Sequence, residues 1–262
     1  MPALGFGTWE LEGDVCVDAV SRALDVGYRH VDTAVRYGNE AQVGRALRAS
    51  GIARDELFVT TKVWHDALRH DDVLASLERS LDRLGLDYVD LFLVHWPNPA
   101  VPLAETLAAM GEARASGRAR HIGVSNFTIA HLKEGCDVLD ATLDAHQFEL
   151  HPYLDQTALI AATRQRGMIV EAYQPLAGGL VIRDAEIAEI ARRYNRSAAQ
   201  IALRWLMDQP DVVAIPRSRN AANIASNLAI FDFELDAADI QRIDGLRGNR
   251  RFVNPAFAPQ WD

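Results

Sequence analysis

Residues 57–95 read LFVTTKVWHDALRHDDVLASLERSLDRLGLDYVDLFLVH. LFVTTK (57–62) and VDLFLVH (89–95) are short apolar and β-branched runs, the pattern of strands buried on both faces of a parallel sheet. Between them Val73, Leu77, Leu81 and Leu84 recur at the spacing of one helical face, with Asp71 as the expected N-cap. Strand, crossover helix and second strand in this order make a βαβ unit with parallel strands.

The same unit repeats outward in both directions. Further strand candidates are YRHVD (28–32), HIGVS (121–125), LDAHQF (143–148), MIVEAY (168–173), VVAIP (212–216) and LAIF (228–231). A helix expected to be capped by Asp14 presents Cys16, Ala19, Val20, Ala23 and Leu24. Ser197 with Gln200 forms a capping box ahead of an apolar helix that ends near Met207. Eight strands in strict β-then-α order predict a (β/α)8 TIM barrel, and residues 1–262 read as one domain of that kind. A doubly wound open sheet is the alternative. It usually carries a Gly-rich fingerprint after an early strand, whereas YRHVD is followed by TAVRYGNEAQVG. Gly178-Gly179, after MIVEAYQPLA, reads as loop.

Composition narrows the function classes. The 262 residues are 49% hydrophobic and 24% charged, enough to bury a proper core. The 36 acidic residues outnumber the 27 lysines and arginines, for a formal charge of −9. Such a surface gains little from nucleic acid or an anionic membrane. Cys16 and Cys136 fit free thiols in a reducing compartment. No apolar run reaches membrane-spanning length, and MPALGFGTWE has no signal-like pattern. The expectation is a cytoplasmic monomer.

In a barrel, side chains at the C-terminal ends of the strands converge. Asp32 closes YRHVD and Tyr37 follows it; Lys62 closes LFVTTK; His95 closes VDLFLVH. Taken singly, each has an ordinary explanation: a helix cap, a rim aromatic, a solvated lysine, a core histidine. Together they make a site for carbonyl chemistry. A tyrosine with a pKa of about 10 is a poor proton donor near neutrality. A lysine ammonium beside it favours the phenolate and lowers that value. Asp32 would hold Lys62 charged, His95 would hydrogen-bond a carbonyl oxygen, and Tyr37 would protonate it. No metal is needed, and the remaining histidines lack zinc-like spacing.

GFGTW (5–9), HVDTAVRYGNEAQVGRAL (30–47), FVTTKVW (58–64), LGLDYVDLFLVHWP (84–97), GVSNF (123–127) and IPRS (215–218) resemble the aldo-keto reductase family across nearly the whole chain, and within it the bacterial 2,5-diketogluconate reductase branch. The resemblance implies that Asp32, Tyr37, Lys62 and His95 are the catalytic tetrad. It also implies a nicotinamide cofactor. Ser125, Asn126 and Gln147 would bind its carboxamide, and Tyr173 would stack on its ring. Gln174, Pro175, Leu176 and Gly178 would line the pyrophosphate, Arg217 and Ser218 would meet a 2′-phosphate, and Asn227 the adenine. Arg217 stands where the family often has Lys, and Asn223 where it often has a second basic residue. NADP(H) is therefore favoured and NAD(H) allowed. Trp9, Trp64, Trp96 and Phe127 would line the pocket for a small carbonyl substrate, with Trp261 over its mouth. The family also opens with a β-hairpin under the barrel; here the chain reads as starting in its second half, PALGFG, with that first strand missing.

Two other readings remain open at this point. Some family relatives hold nucleotide as slow regulatory subunits. A barrel lyase or isomerase could instead use Lys62 as a Schiff base.

Overall fold

A computed structural model describes residues 1–138 and 140–262. It contains an eight-stranded parallel sheet whose strands follow chain order. The strands are β1 (Gly5–Gly7), β2 (His30–Asp32), β3 (Phe58–Val63), β4 (Val89–Val94), β5 (Ala119–Ser125), β6 (Ala145–Glu149), β7 (Ile169–Tyr173) and β8 (Val212–Ala214). Leu4 bridges Ala214, the Ala214 amide donates to Ala3, and the Gly7 amide donates to Pro216, so β8 returns to β1 and the sheet curls into a barrel. The helices are α1 (Gly13–Asp25), α2 (Glu40–Ala49), α3 (His70–Leu84), α4 (Leu103–Ala115), α5 (Ile129–Leu132), α6 (Thr157–Arg164), α7 (Ala185–Tyr194), α8 (Ala198–Met207), α9 (Ala221–Leu228) and α10 (Ala237–Asp244). No helix among the described residues is long and apolar enough to cross a membrane.

The unit at 57–95 forms as its pattern dictates. Every residue of β4 is buried, and α3 buries Val73, Ser76, Leu77, Ser80, Leu81 and Leu84, one stripe at three- and four-residue steps. Most of the apolar core lies between strands and helices, while Leu91, Leu93 and Ala145 with Phe58 form a small separate cluster. Gly123 permits the close approach there: a Cβ at that position would sit 2.3 Å from the Ala145 carbonyl oxygen.

Three local expectations are corrected. LAIF (228–231) is not a strand: Leu228 ends α9 and buried Ile230 follows in a turn. The eighth strand is instead GFG, too short and glycine-rich to show periodicity. A Cβ at Gly5 would meet the His30 ring at 2.6 Å and one at Gly7 the Ile215 carbonyl at 2.8 Å, so β1 is squeezed between β2 and the end of β8. Asp14 and Asp71 lie in first turns and are not caps; the N-cap residues are Glu12 and Arg69, neither with a side-chain cap bond. An acid in the first turn still opposes the positive end of the helix. The Ser197–Gln200 capping box is present at α8, which ends at Met207.

Candidate active site

The C-terminal ends of the strands open into a cleft of about 1050 Å³ lined from Gly7 to Phe257. Asp32 ends β2, Tyr37 sits in the short turn Val35–Tyr37, Lys62 lies near the end of β3, and His95 directly follows β4. Lys62 is fully buried, and all three of its ammonium protons have acceptors: Asp32 Oδ1 at 2.6 Å, the Thr33 carbonyl at 3.0 Å and the Tyr37 hydroxyl oxygen at 3.1 Å. Because Lys62 donates to the Tyr37 oxygen, the hydroxyl proton is left free for the cleft. The His95 ring packs edge-on against Tyr37 with centroids 5.6 Å apart.

Burial and charge oppose each other here. Burial disfavours the Lys62 ammonium, but Asp32 first and then Tyr37 outweigh it and hold the lysine above its ordinary value. Burial raises the Asp32 carboxyl, with Lys62 and Gln147 pulling it back; the 2.6 Å contact makes the pair an ionised one. Burial, then the Lys62 charge, pushes His95 far below its usual value, so its ring is neutral and carries one N–H. Tyr37 departs from expectation. Burial outweighs the Lys62 charge and lifts the phenol to about 12. The ammonium limits a rise that burial imposes; it does not bring the phenol below 10.

The expected cofactor residues divide by position. Asn126, Gln147, Tyr173, Gln174, Pro175, Leu176, Gly178, Arg217, Ser218, Asn223 and Asn227 all line the cleft. Ser125 does not: it is fully buried behind Asn126 and meets the Asn126 amide at 3.0 Å. The Tyr173 hydroxyl donates to Asn126 Oδ1 at 2.6 Å, which fixes its half-buried ring at the cleft wall. Gln174, Ala177, Gly178 and Gly179 all adopt left-handed backbone, so this loop after β7 turns tightly beside the cleft. A ring-sized aromatic face, polar amides and an exposed glycine-bearing turn suit a nicotinamide dinucleotide. Arg217 ties the loop after β8 to the neighbouring loop after β1: its Nε donates to the Trp9 carbonyl at 2.9 Å and its guanidinium pairs with Glu10. Asn223 is exposed at the start of α9.

Of the expected pocket aromatics, Trp9, Trp64 and Trp96 line the cleft. Phe127 does not; it is 1% exposed and packs against His131 below the surface. Its place is taken by Phe257, which lies 5.7 Å from Trp64, 5.6 Å from Trp96 and stacks on His65 at 4.2 Å, centroid to centroid. Trp261 meets Trp96 at 5.9 Å and covers Arg251. The tail is tied down by Glu149, which accepts from the Phe252 and Val253 amides at 2.6 and 3.0 Å.

Sequence reasoning missed Glu149, Phe257, Glu10 and Glu171. The carboxyls of Glu149 and Glu171 sit in the apolar-looking runs AHQFE and IVEAY, and an acid inside a buried strand was the available signal.

The model of the "Aldo/keto reductase family" matches residues 3–247. The chain is 42% identical to methylglyoxal reductase DkgB of Escherichia coli O157:H7, over 100% of this chain and 99% of that one. It is 44% identical to an aldo-keto reductase of Mycobacterium bovis, over 96% of this chain and 89% of that one. A crystal structure ascribed to a 2,5-diketo-D-gluconic acid reductase B superposes with a TM-score of 0.97 at 45% identity, covering 100% of this chain and 94% of that one. The chain is an oxidoreductase and belongs to the aldo/keto reductase family, on its 2,5-diketogluconate reductase branch.

Proposed function

We propose that this enzyme reduces small aldehydes and activated ketones to alcohols with NADPH, and with NADH less well, using Tyr37 as the proton donor. The observation that carries this is the buried Lys62 ammonium, 2.6 Å from Asp32 and 3.1 Å from the Tyr37 oxygen, directly behind these two residues that line an aromatic cleft. A bound nicotinamide dinucleotide would supply hydride. The chain supplies everything else. Tyr173 would give a flat face for the ring, and Asn126 and Gln147 would take its carboxamide. Arg217 would meet the 2′-phosphate with a planar fork of donors, after exchanging Glu10 for it.

Tyr37 and the neutral His95 ring both face the cleft, so one carbonyl oxygen can take a hydrogen bond from each. As negative charge grows on that oxygen, Tyr37 gives up its proton. The Lys62 ammonium, already on the phenol oxygen, stabilises the phenolate that results. A phenol held near 12 keeps its proton until then. Trp9, Trp64, Trp96 and Phe257 leave a flat, apolar pocket for the carbon skeleton. The relatives named for methylglyoxal and 2,5-diketogluconic acid suggest small substrates that carry more than one carbonyl group. Residency in the cytoplasm as a monomer completes the proposal.

A Schiff-base role for Lys62 fits poorly. A nucleophilic amine must be neutral, and this one is held charged with every proton engaged. The test is a panel of aldehydes and dicarbonyls with each cofactor, read as loss of nicotinamide absorbance. Turnover with NADPH is expected; borohydride-trapped substrate on Lys62 without cofactor turnover would contradict it.

A further inference from the structure

Behind Asp32 and Lys62 lies a second buried carboxyl. Glu171, on β7, is fully buried. Its Oε2 accepts from Gln147 Nε2 at 2.8 Å, and the same Nε2 donates to Asp32 Oδ2 at 3.0 Å. Gln147 and Glu171 are register partners on β6 and β7. Both amide protons of Gln147 are thus taken by carboxyls, and its Oε1 is left as an acceptor for the cleft, which Gln147 lines. Resting on the proposed cofactor site, we infer that Glu171 is a positioning residue that locks the Gln147 amide with its oxygen toward the cofactor and its nitrogen toward the barrel interior.

The charges around Glu171 say which form does this. From β2 it faces Asp32 and the His30 ring, whose Nε2 is 3.4 Å from Glu171 Oε1 and 3.0 Å from Thr60 Oγ1. From β3 comes Lys62, committed to Asp32; from β6 comes neutral Gln147; the register partner on β8 is Val213. His30 is fully buried, and burial, then nearby positive charge, lowers it to about 3. One ammonium therefore serves two buried carboxyls, and the second stays neutral. Burial, then the Asp32 charge, raises Glu171 to about 8. Its proton belongs on Oε1, the oxygen that Gln147 does not occupy. Above that pH a second negative charge appears beside Asp32, competes for Lys62 and makes the Tyr37 proton harder to release. Neither Tyr37, near 12, nor His95, held neutral, titrates in that range.

The test uses Glu171→Gln, which keeps shape and can still accept from Gln147, and Glu171→Leu, which cannot. The expected result has three parts. The wild-type kcat/KM for a reduced aldehyde falls above about pH 8, and this limb is absent in Glu171→Gln. Glu171→Leu binds NADPH about tenfold more weakly by fluorescence titration, the scale of one lost hydrogen bond, while Glu171→Gln binds it as the wild type does. The infrared band of a protonated carboxyl at neutral pH, in protein without cofactor, disappears in Glu171→Gln. An unmoved alkaline limb in Glu171→Gln, wild-type NADPH affinity in Glu171→Leu, or no protonated carboxyl at neutral pH overturns the inference. The titration and infrared arms need no turnover, so an enzyme that reduces no carbonyl would overturn the proposed function and leave these two readings to judge Glu171.

Discussion

Lys62 Nζ donates to the Tyr37 hydroxyl oxygen across 3.1 Å, and its other two protons go to Asp32 and to the Thr33 carbonyl. The lysine therefore acts on the tyrosine through its charge and is itself unable to leave. Lys62→Met should cut turnover by about 10²–10⁴-fold. It should also lose about 3–5 kcal/mol of stability, because Asp32 is left as a buried unpaired charge. Adding Asp32→Asn should restore much of the stability and none of the turnover. Chemical denaturation and steady-state rates on the single and double variants check this.

Arg217 is held by the Trp9 carbonyl and by Glu10 on the neighbouring loop after β1. Arg217→Ala should weaken NADPH by roughly ten- to a hundredfold and leave NADH nearly unchanged, since a charge-assisted phosphate contact contributes about 1.5–3 kcal/mol. Glu10→Gln removes the competitor for the guanidinium and should tighten NADPH in preference to NADH. Equal changes for both cofactors in either variant would mean that Arg217 only ties the two loops together.

Glu149 accepts from two successive tail amides and from His151. Glu149→Ala leaves those amides without their acceptor and should loosen the segment that carries Phe257. The expected effect is a several-fold rise in KM for aromatic aldehydes, with a much smaller change for methylglyoxal. KM values for the two substrate types in one variant preparation decide it.

Burial lowers both His30 and His146 to about 3, and each ordinarily titrates near 6.5. The unfolded chain takes up these protons as pH falls below 6.5 and the folded chain does not, so stability should drop between about pH 6.5 and pH 3. Glu171 works in the opposite sense: its raised value gives stability that is complete below the ordinary value of 4.5 and is lost as pH rises through about 8. Melting temperatures across pH should show both flanks, and Glu171→Gln should flatten the alkaline one only.

The barrel could be read from sequence because β4 is apolar but for Asp90 and α3 carries Val73, Leu77, Leu81 and Leu84 on one buried stripe. The convergence of Asp32, Lys62 and His95 could be read because each stands at the end of an apolar run, with Tyr37 in the turn just after the first. β1 escaped because three residues with two glycines carry no period, and their role depends on contacts with His30 and Ile215 far along the chain. LAIF misled because an apolar run too short to show its period looks the same in a strand and at a helix end. Phe127 and Phe257 exchanged roles for a similar reason. Local sequence says that both are aromatic, and only tertiary packing says which one reaches the cleft. The position of Tyr37 was legible and its acidity was not: the pattern showed the ammonium beside the phenol but not the desolvation that outweighs it.

The most direct test is Tyr37→Phe, assayed for reduction of an aldehyde with NADPH alongside fluorescence titration of the cofactor. The substitution removes the hydroxyl proposed as the proton source and leaves the ring to pack against Trp9 and His95. Turnover should fall by about 10²–10⁴-fold with the NADPH dissociation constant unchanged. A variant that binds NADPH normally and reduces the aldehyde at near wild-type rate would contradict the assignment of Tyr37 as the acid.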